Sequence, residues 1–324
     1  MLYSREMPKL LSILIPMYNE EEAFPYLKSE LSEWLDKFGC DVEVVLVDDG
    51  STDKTLKLAM AWAEENERII VVVLSRNFGH QLAITAGLDA VAGDAVVIMD
   101  ADLQDPIEVI TTMLERYCEG YDVAYGKRTE REGETIFKRV TADIFYWMMK
   151  KLMLENLPSN TGDFRLISRD VVDELRRLGE NGRFIRGLTT WVGFDQIAVP
   201  YTRKPRAAGR TKYPLLKMIK FAADAIFSFS DLPLRFFVWI GMMSIMASVF
   251  MIIYTFYLVI QKNEGLVVGW SSIVVLISFL SGMTLLSTGM MGLYIGRIYT
   301  EVKNRPLYIV KKTFNIERGD LGKR

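Results

Sequence analysis

Over the first 200 residues, short apolar runs alternate with longer amphipathic stretches. The apolar runs are Leu10 to Ile15, Val42 to Val47, Ile69 to Leu74, Ala95 to Met99 and Val123 to Tyr125. Between them, Tyr26 to Phe38, Thr55 to Asn66 and Ile107 to Glu119 carry apolar residues at helical spacing. Strands of this length separated by helices predict an α/β domain whose mostly parallel sheet is covered on both faces. Ligands bind such sheets at the carboxyl ends of the strands, so the residues that follow each run become the candidates for chemistry.

The pattern changes beyond residue 213. Leu234 to Ile260 carries one charge, Arg235 at its start, and Gly265 to Gly296 carries none. Each exceeds the roughly 20 residues that cross a bilayer core. Only Gln261, Lys262, Asn263 and Glu264 lie between them, which predicts a hairpin of two transmembrane helices. Arg203, Lys204, Arg206, Arg210, Lys212, Lys217 and Lys220 precede it, and Arg297, Lys303, Arg305, Lys311 and Lys312 follow. The connecting loop has Lys262 alone, so the positive-inside rule places both termini in the cytoplasm. Residues 214–232 read as an amphipathic helix with Lys217 and Lys220 placed to meet anionic headgroups, although the same pattern suits a helix docked on the soluble domain. The expected organisation is a catalytic domain over 1–213, an interfacial helix over 214–232, the hairpin over 233–296 with spans 234–260 and 265–296, and a basic cytoplasmic tail over 297–324. Leu10 to Met17 is too short for a signal peptide and runs into Asn19, Glu20, Glu21 and Glu22.

A net charge of −2 argues against a nucleic-acid binder. Cys40 and Cys118 have no metal-ligand spacing and read as reduced thiols. His80 is the single histidine, which disfavours a His-based zinc site or a Ser/His triad, and it reads as capping or bracing the helix that follows it, with contact to a nucleotide as the alternative. The chemistry must then lean on carboxylates.

Polar groups follow four successive strands. They are Pro16, Tyr18, Asn19 and Glu20; Asp48, Asp49, Gly50, Ser51 and Thr52; Arg76, Asn77 and His80; and Asp100, Asp102, Gln104 and Asp105. Ser51 or Thr52 suits the N-cap of the next helix. Asp100 and Asp102, at i and i+2, can reach one hard divalent cation such as Mg2+ or Mn2+, directly or through its waters. A cation with a bound anion is the natural partner for carboxylates that otherwise repel one another, which points to a nucleotide diphosphate.

The segments PMYNEE, VDDGSTDKT, SRNFGHQLAITAGLDAVAGDAVVIMDADLQDP, GDFRLISR and RAAGRTKYP, followed by two spans, resemble the family-2 glycosyltransferases of GT-A fold. Within them the chain is similar to the polyprenyl-phosphate glycosyltransferases, which include dolichol-phosphate mannose synthases and bacterial undecaprenyl-phosphate glucosyltransferases. The ending LYIGRIYTEVKNRPLYIV resembles the bacterial subgroup. The resemblance implies a Rossmann-like GT-A catalytic domain. It implies a nucleoside pocket lined by Pro16, Tyr18, Glu20 and Asp49, with Asp48 beside them, and a metal and diphosphate site of Asp100, Asp102 and Gln104, in which Asp102 also serves catalysis. Asp163 takes the place of the proposed catalytic carboxylate, and Arg128, Arg203, Arg206, Arg210 and Lys212 approach the lipid phosphate or the pyrophosphate.

The implied reaction is inverting transfer of a hexosyl group, best read as glucose from UDP-glucose, to undecaprenyl phosphate at the cytoplasmic membrane face. Alternatives are an aminoarabinose or GDP-mannose donor, or a non-catalytic scaffold that binds sugar nucleotides at the membrane. A phosphate monoester has a second pKa near 6 and is already charged at neutral pH, so Asp163 is expected to orient the acceptor, or a residue gripping it, with a flat rate profile from about pH 7 to 9. The turn-rich SNTG before Asp163 also suits a simple cap. A processive synthase is disfavoured because QxxRW is absent, and a transporter because the spans lack interior charge. Gly292 and Gly296, with Gly289 nearby, give the second span a small-residue face suited to close helix packing, within the hairpin or between the subunits of a homo-oligomer.

Overall fold

The computed structural model describes residues 4–129, 161–203 and 270–322, with separate positions between 239 and 260. Two compact units are present, one formed by Met1–Met218 with Pro306–Arg324 and the other by Ile219–Arg305.

In the first unit all five apolar runs form strands: β1 (Leu10–Met17), β2 (Asp41–Asp48), β3 (Ile69–Leu74), β4 (Ala95–Ile98) and β5 (Val123–Arg128). Nearly every residue of β1 to β4 is buried, as expected of strands covered on both faces. The connecting helices are α1 (Phe24–Trp34), α2 (Thr55–Glu65), α3 (His80–Leu88) and α4 (Val109–Cys118). Ile110, Met113, Leu114 and Tyr117 of α4 line one helix face and are buried, the spacing expected of a helix on a sheet. The interval between β3 and β4 is also helical; α3 was hidden from periodicity because six of its nine residues are buried, leaving little polar face.

Three further strands extend the sheet: β6 (Thr161–Ser168), β7 (Gln196–Tyr201) and β8 (Val310–Phe314). The order is β7-β5-β6-β4-β1-β2-β3-β8. Pairs β1/β2, β1/β4, β2/β3 and β5/β7 are parallel, whereas β4/β6, β5/β6 and β3/β8 are antiparallel. The Rossmann-like GT-A arrangement with a mostly parallel sheet is therefore present. β1 lies between β2 and β4, so the strand order reverses there and opens a crevice at the carboxyl ends of β1 and β4.

Two short helices, α5 (Arg169–Arg177) and α6 (Ile185–Trp191), lie between β6 and β7. Residues 306–322, within the segment read as a basic tail, belong to the first unit. There β8 covers the edge of β3, Ser75 N donates to Ile309 O at 2.9 Å, and the Tyr308 hydroxyl donates to Asp89.

The second unit contains α7 (Trp270–Val302), of which Phe279–Val302 is long and apolar enough to cross a membrane. Those 24 residues span about 36 Å at ~1.5 Å per residue. The helix runs six residues beyond Gly296 and stops near Asn304, which takes φ 45°, with Pro306 following. Leu285 and Leu286 on its surface are 74% and 59% exposed in the protein alone. This is the one such helix among the described residues. Every described position from Trp239 to Ile260 is helical, but that span, the loop after it and the interfacial helix lie mostly or wholly outside the described residues.

Candidate active site

The four strand ends meet at the crevice. Asn19, after β1, takes φ 54°, which lets its Oδ1 accept the Thr52 N–H at 2.8 Å while its own N–H donates to Ser51 Oγ at 3.0 Å. Glu20 N donates to Thr55 Oγ1 at 2.8 Å, completing a seam between the first two loops. Ser51 is thus spent on Asn19, and neither it nor Thr52 caps α2; Asp53 Oδ1 accepts the Thr55 N–H at 3.0 Å instead.

Asp48 is buried, with its carboxylate facing the Ser51 N–H at 3.3 Å, and burial raises its pKa above the usual carboxylate value. Asp49 Oδ1 accepts from Phe78 N at 2.7 Å and Oδ2 from Gly79 N at 2.9 Å. Asp49 therefore builds the turn that delivers His80. Gly50 allows this approach: it sits at φ 71°, and a Cβ there would stand 2.6 Å from the Arg76 carbonyl carbon.

Strand β4 ends in the acidic loop. Asp100 is about one-third exposed, and Leu103, buried at φ 54°, is a non-glycine residue in the left-handed region. Such strain is typical of functional loops. Gln104 N donates to Asp102 Oδ1 at 3.2 Å, folding the loop back on itself.

Asp163 reaches this loop through strand register. β6 runs antiparallel to β4, and the ladder ends with Ile98 opposite Arg165, so Asp163 lies at the end of the sheet where β4 gives way to the acidic loop. Asp163 thus lies in a strand, not in the turn that SNTG suggested. It is buried, and its carboxylate is crowded with donors. Arg186 of α6 gives Nε to Oδ1 at 2.8 Å and Nη2 to Oδ2 at 3.3 Å. Gln81 Nε2 donates to Oδ2 at 3.1 Å, and His80 Nε2 lies 3.1 Å from the same oxygen. Burial favours the neutral acid, but the Arg186 charge and the His80 hydrogen bond outweigh it and hold Asp163 well below the usual carboxylate range.

His80 also stands 3.6 Å from Asp100 Oδ1. Burial works against its charge, yet the Asp163 hydrogen bond and the charges of Asp100 and Asp163 raise it to about 9. Asp100 moves up to about 6 through burial, with His80 opposing and Asp105, Asp163 and Asp102 adding to the shift. Behind them Arg165, fully buried, donates Nη2 to Gly162 O at 3.0 Å and Nη1 to the Thr189 hydroxyl, and burial lowers it to about 10.

The Glycosyl transferase family 2 profile matches residues 12–176, just over half of the 324 residues. The chain belongs to that family. As a glycosyltransferase it is 45% identical over 308 residues to an uncharacterized glycosyltransferase of Bacillus subtilis, covering 94% of each chain. It is 40% identical to the bactoprenol glucosyl transferase of Shigella phage SfII, covering 94% of this chain and 98% of that one. Among solved structures, glucosyl-3-phosphoglycerate synthase from Mycobacterium tuberculosis with Mn2+, UDP-glucose and phosphoglyceric acid aligns at 19% identity, TM-score 0.46, covering 68% of this chain and 78% of that one.

In this glycosyltransferase the structure brings Asp100, Asp102, Gln104 and Asp163 to one end of the sheet, and places Pro16, Tyr18, Glu20, Asp48 and Asp49 on the neighbouring strand ends. Arg128 closes β5, and Arg203 follows β7. Arg206, Arg210 and Lys212 lie outside the described residues. Among the described residues no three His, Cys, Asp or Glu side chains converge as a cation cage. Two carboxylates facing a crevice still suit Mg2+ or Mn2+, which commonly take one or two carboxylates and complete their shell with substrate phosphate and water.

Sequence reading missed Gln81 and Arg186 and gave His80 the lesser role of a helix brace. Arg186 sits in NGRFIRG, which has no periodic or motif signal. For His80 the signal was its place directly after a strand end.

Proposed function

We propose that this glycosyltransferase transfers a hexosyl group, glucose from UDP-glucose as the best reading, to the phosphate of a polyprenyl lipid at the cytoplasmic membrane face, with inversion. The observation that carries this reading is the state of Asp163. A carboxylate held by Arg186, Gln81 and His80 is a poor proton acceptor, and a phosphate acceptor needs none, because its oxygen is already charged. Near full-length similarity to bactoprenol glucosyl transferases supports the same acceptor class.

In the proposed step a phosphate oxygen attacks the anomeric carbon as the bond to the nucleoside diphosphate breaks. Asp100 and Asp102, with Gln104, would hold the divalent cation, which supplies charge stabilisation to the departing diphosphate. Asp163 fixes Arg186 and His80 beside the acidic loop, Asp49 fixes the turn carrying His80, and Arg128 and Arg203 receive phosphate charge. The resemblance extends that last role to Arg206, Arg210 and Lys212.

The membrane topology rests on strand β8. The pairing of β8 with β3 joins the chain before residue 204 to the chain after 305, which supports one compartment for both and an even number of crossings between them. One candidate span is Phe279–Val302. The apolar stretch Leu234 to Ile260 supplies the second, which supports the hairpin. The reaction is tested by incubating the purified protein with labelled UDP-glucose, Mg2+ and undecaprenyl phosphate and following label into the lipid fraction. Label remaining wholly water-soluble would reject the acceptor.

A further inference from the structure

At the far side of the acidic loop lies a second polar cluster. Asp105 is 1% exposed; its Oδ1 accepts the Tyr201 hydroxyl proton, and its Oδ2 has no hydrogen-bond partner. The same Tyr201 oxygen accepts the Arg128 Nε–H at 3.3 Å. The phenol therefore bridges a buried carboxylate and the Arg128 guanidinium, which are joined through it and not by a direct ion pair. Its ring is clamped: Phe164 packs edge-on with centroids 5.6 Å apart, and a Cβ on Gly126 would come within 2.8 Å of Tyr201 Cε1. The other end of Arg128 extends over Gly162, where a Cβ would stand 2.8 Å from Nη2, one residue before Asp163. Arg203 also lies in the field of Asp105, and its buried Nε has no partner.

A buried carboxylate oxygen and a buried guanidinium nitrogen, each without a partner, are costly, and a buried carboxylate attracts any cation able to reach it. We propose that Tyr201 is a positioning residue whose hydroxyl satisfies Asp105 and keeps Arg128 out of an ion pair with it, so that the guanidinium stays turned towards a phosphate of the bound substrates. Without the hydroxyl, Asp105 draws Arg128, or Arg203, onto itself, and the phosphate loses its contact. The inference rests on the reading of Arg128 as a phosphate ligand.

The test uses the full chain in detergent, with Tyr201→Phe, which keeps the packed ring, and Tyr201→Phe combined with Asp105→Asn, which removes the attracting charge. Two quantities are measured: the KM for undecaprenyl phosphate at saturating donor, and the rate at which phenylglyoxal modifies Arg128, read by peptide mass. Tyr201→Phe is expected to raise the acceptor KM about tenfold with kcat within about twofold, as for loss of one charge-assisted contact, and to slow Arg128 modification. The double variant is expected to restore both, a rescue that a merely structural tyrosine would not give. Unchanged Arg128 modification in Tyr201→Phe, or a double variant no better than the single one, would overturn the proposal. Arg128→Gln separates the two readings. If it leaves the acceptor KM unchanged, the phosphate role of Arg128 falls and the spacer with it; if it raises the KM while Tyr201→Phe does not, the spacer alone falls. If the lipid is not turned over at all, the labelling still decides whether Tyr201 restrains Arg128.

Discussion

Arg186 grips Asp163 in a two-pronged ion pair, Nε to Oδ1 at 2.8 Å and Nη2 to Oδ2 at 3.3 Å. This contact separates two mechanisms that the sequence alone left side by side. A general base must take up a proton near neutral pH, and a carboxylate so held does not.

Asp163→Asn keeps the shape but frees Arg186 and His80. The expected result is a kcat lowered about a hundredfold through misplacement, with no rising limb lost from the pH profile, because Asp163 takes up no proton in the wild type. A profile that rises steeply in the wild type and loses that rise in the variant would assign Asp163 as the base.

His80 adds a limb that the sequence reading lacked. Its pKa in the folded protein is about 9, above its ordinary 6.5. The stabilisation it gives is complete below about pH 6.5 and is lost as pH rises through about 9. The thermal midpoint of the metal-free protein is therefore expected to fall between those values, with a smaller fall in His80→Gln. Parallel pH dependence of the midpoint in both proteins would remove His80 from the account.

Gly50→Ala meets two penalties, the left-handed φ of 71° and a Cβ 2.6 Å from the Arg76 carbonyl carbon. A loss of at least about 2 kcal/mol is expected, read as a lowered unfolding midpoint in detergent. An unchanged midpoint would mean that the Asp49 turn is not held as described.

How much of this was legible follows from where each signal resides. Strand Ile69–Leu74 was readable to the residue because a two-face-buried strand is a continuous apolar run, and the acidic ends stood out because charge seldom follows such runs. Strand β6, TGDFRLIS, mixes Asp and Arg with apolar residues, so burial of Asp163 and Arg165 as partnered groups left no periodic signature. The role of β8 was invisible for another reason: VKKTF reads as basic surface, and only its pairing with β3 reveals an edge strand. Contacts such as Tyr201 with Asp105 join residues 96 positions apart, which no local pattern encodes.

The paired edge β3/β8 makes the topology testable with single cysteines in a Cys40→Ser, Cys118→Ser background. Asn263→Cys is expected to react with an impermeant maleimide in intact cells, and Lys37→Cys and Lys311→Cys only after lysis. Labelling of Lys311→Cys but not of Lys37→Cys in intact cells would contradict an even number of crossings.

The most direct measurement of the central claim is nucleoside diphosphate release by the purified protein, with undecaprenyl phosphate, Mg2+ or Mn2+, and a panel of UDP- and GDP-sugars, run beside Asp102→Ala. The account predicts release from one donor, UDP-glucose, that requires both the lipid and the cation and disappears in the variant. Release that proceeds equally without the lipid, or that survives in Asp102→Ala, would contradict it.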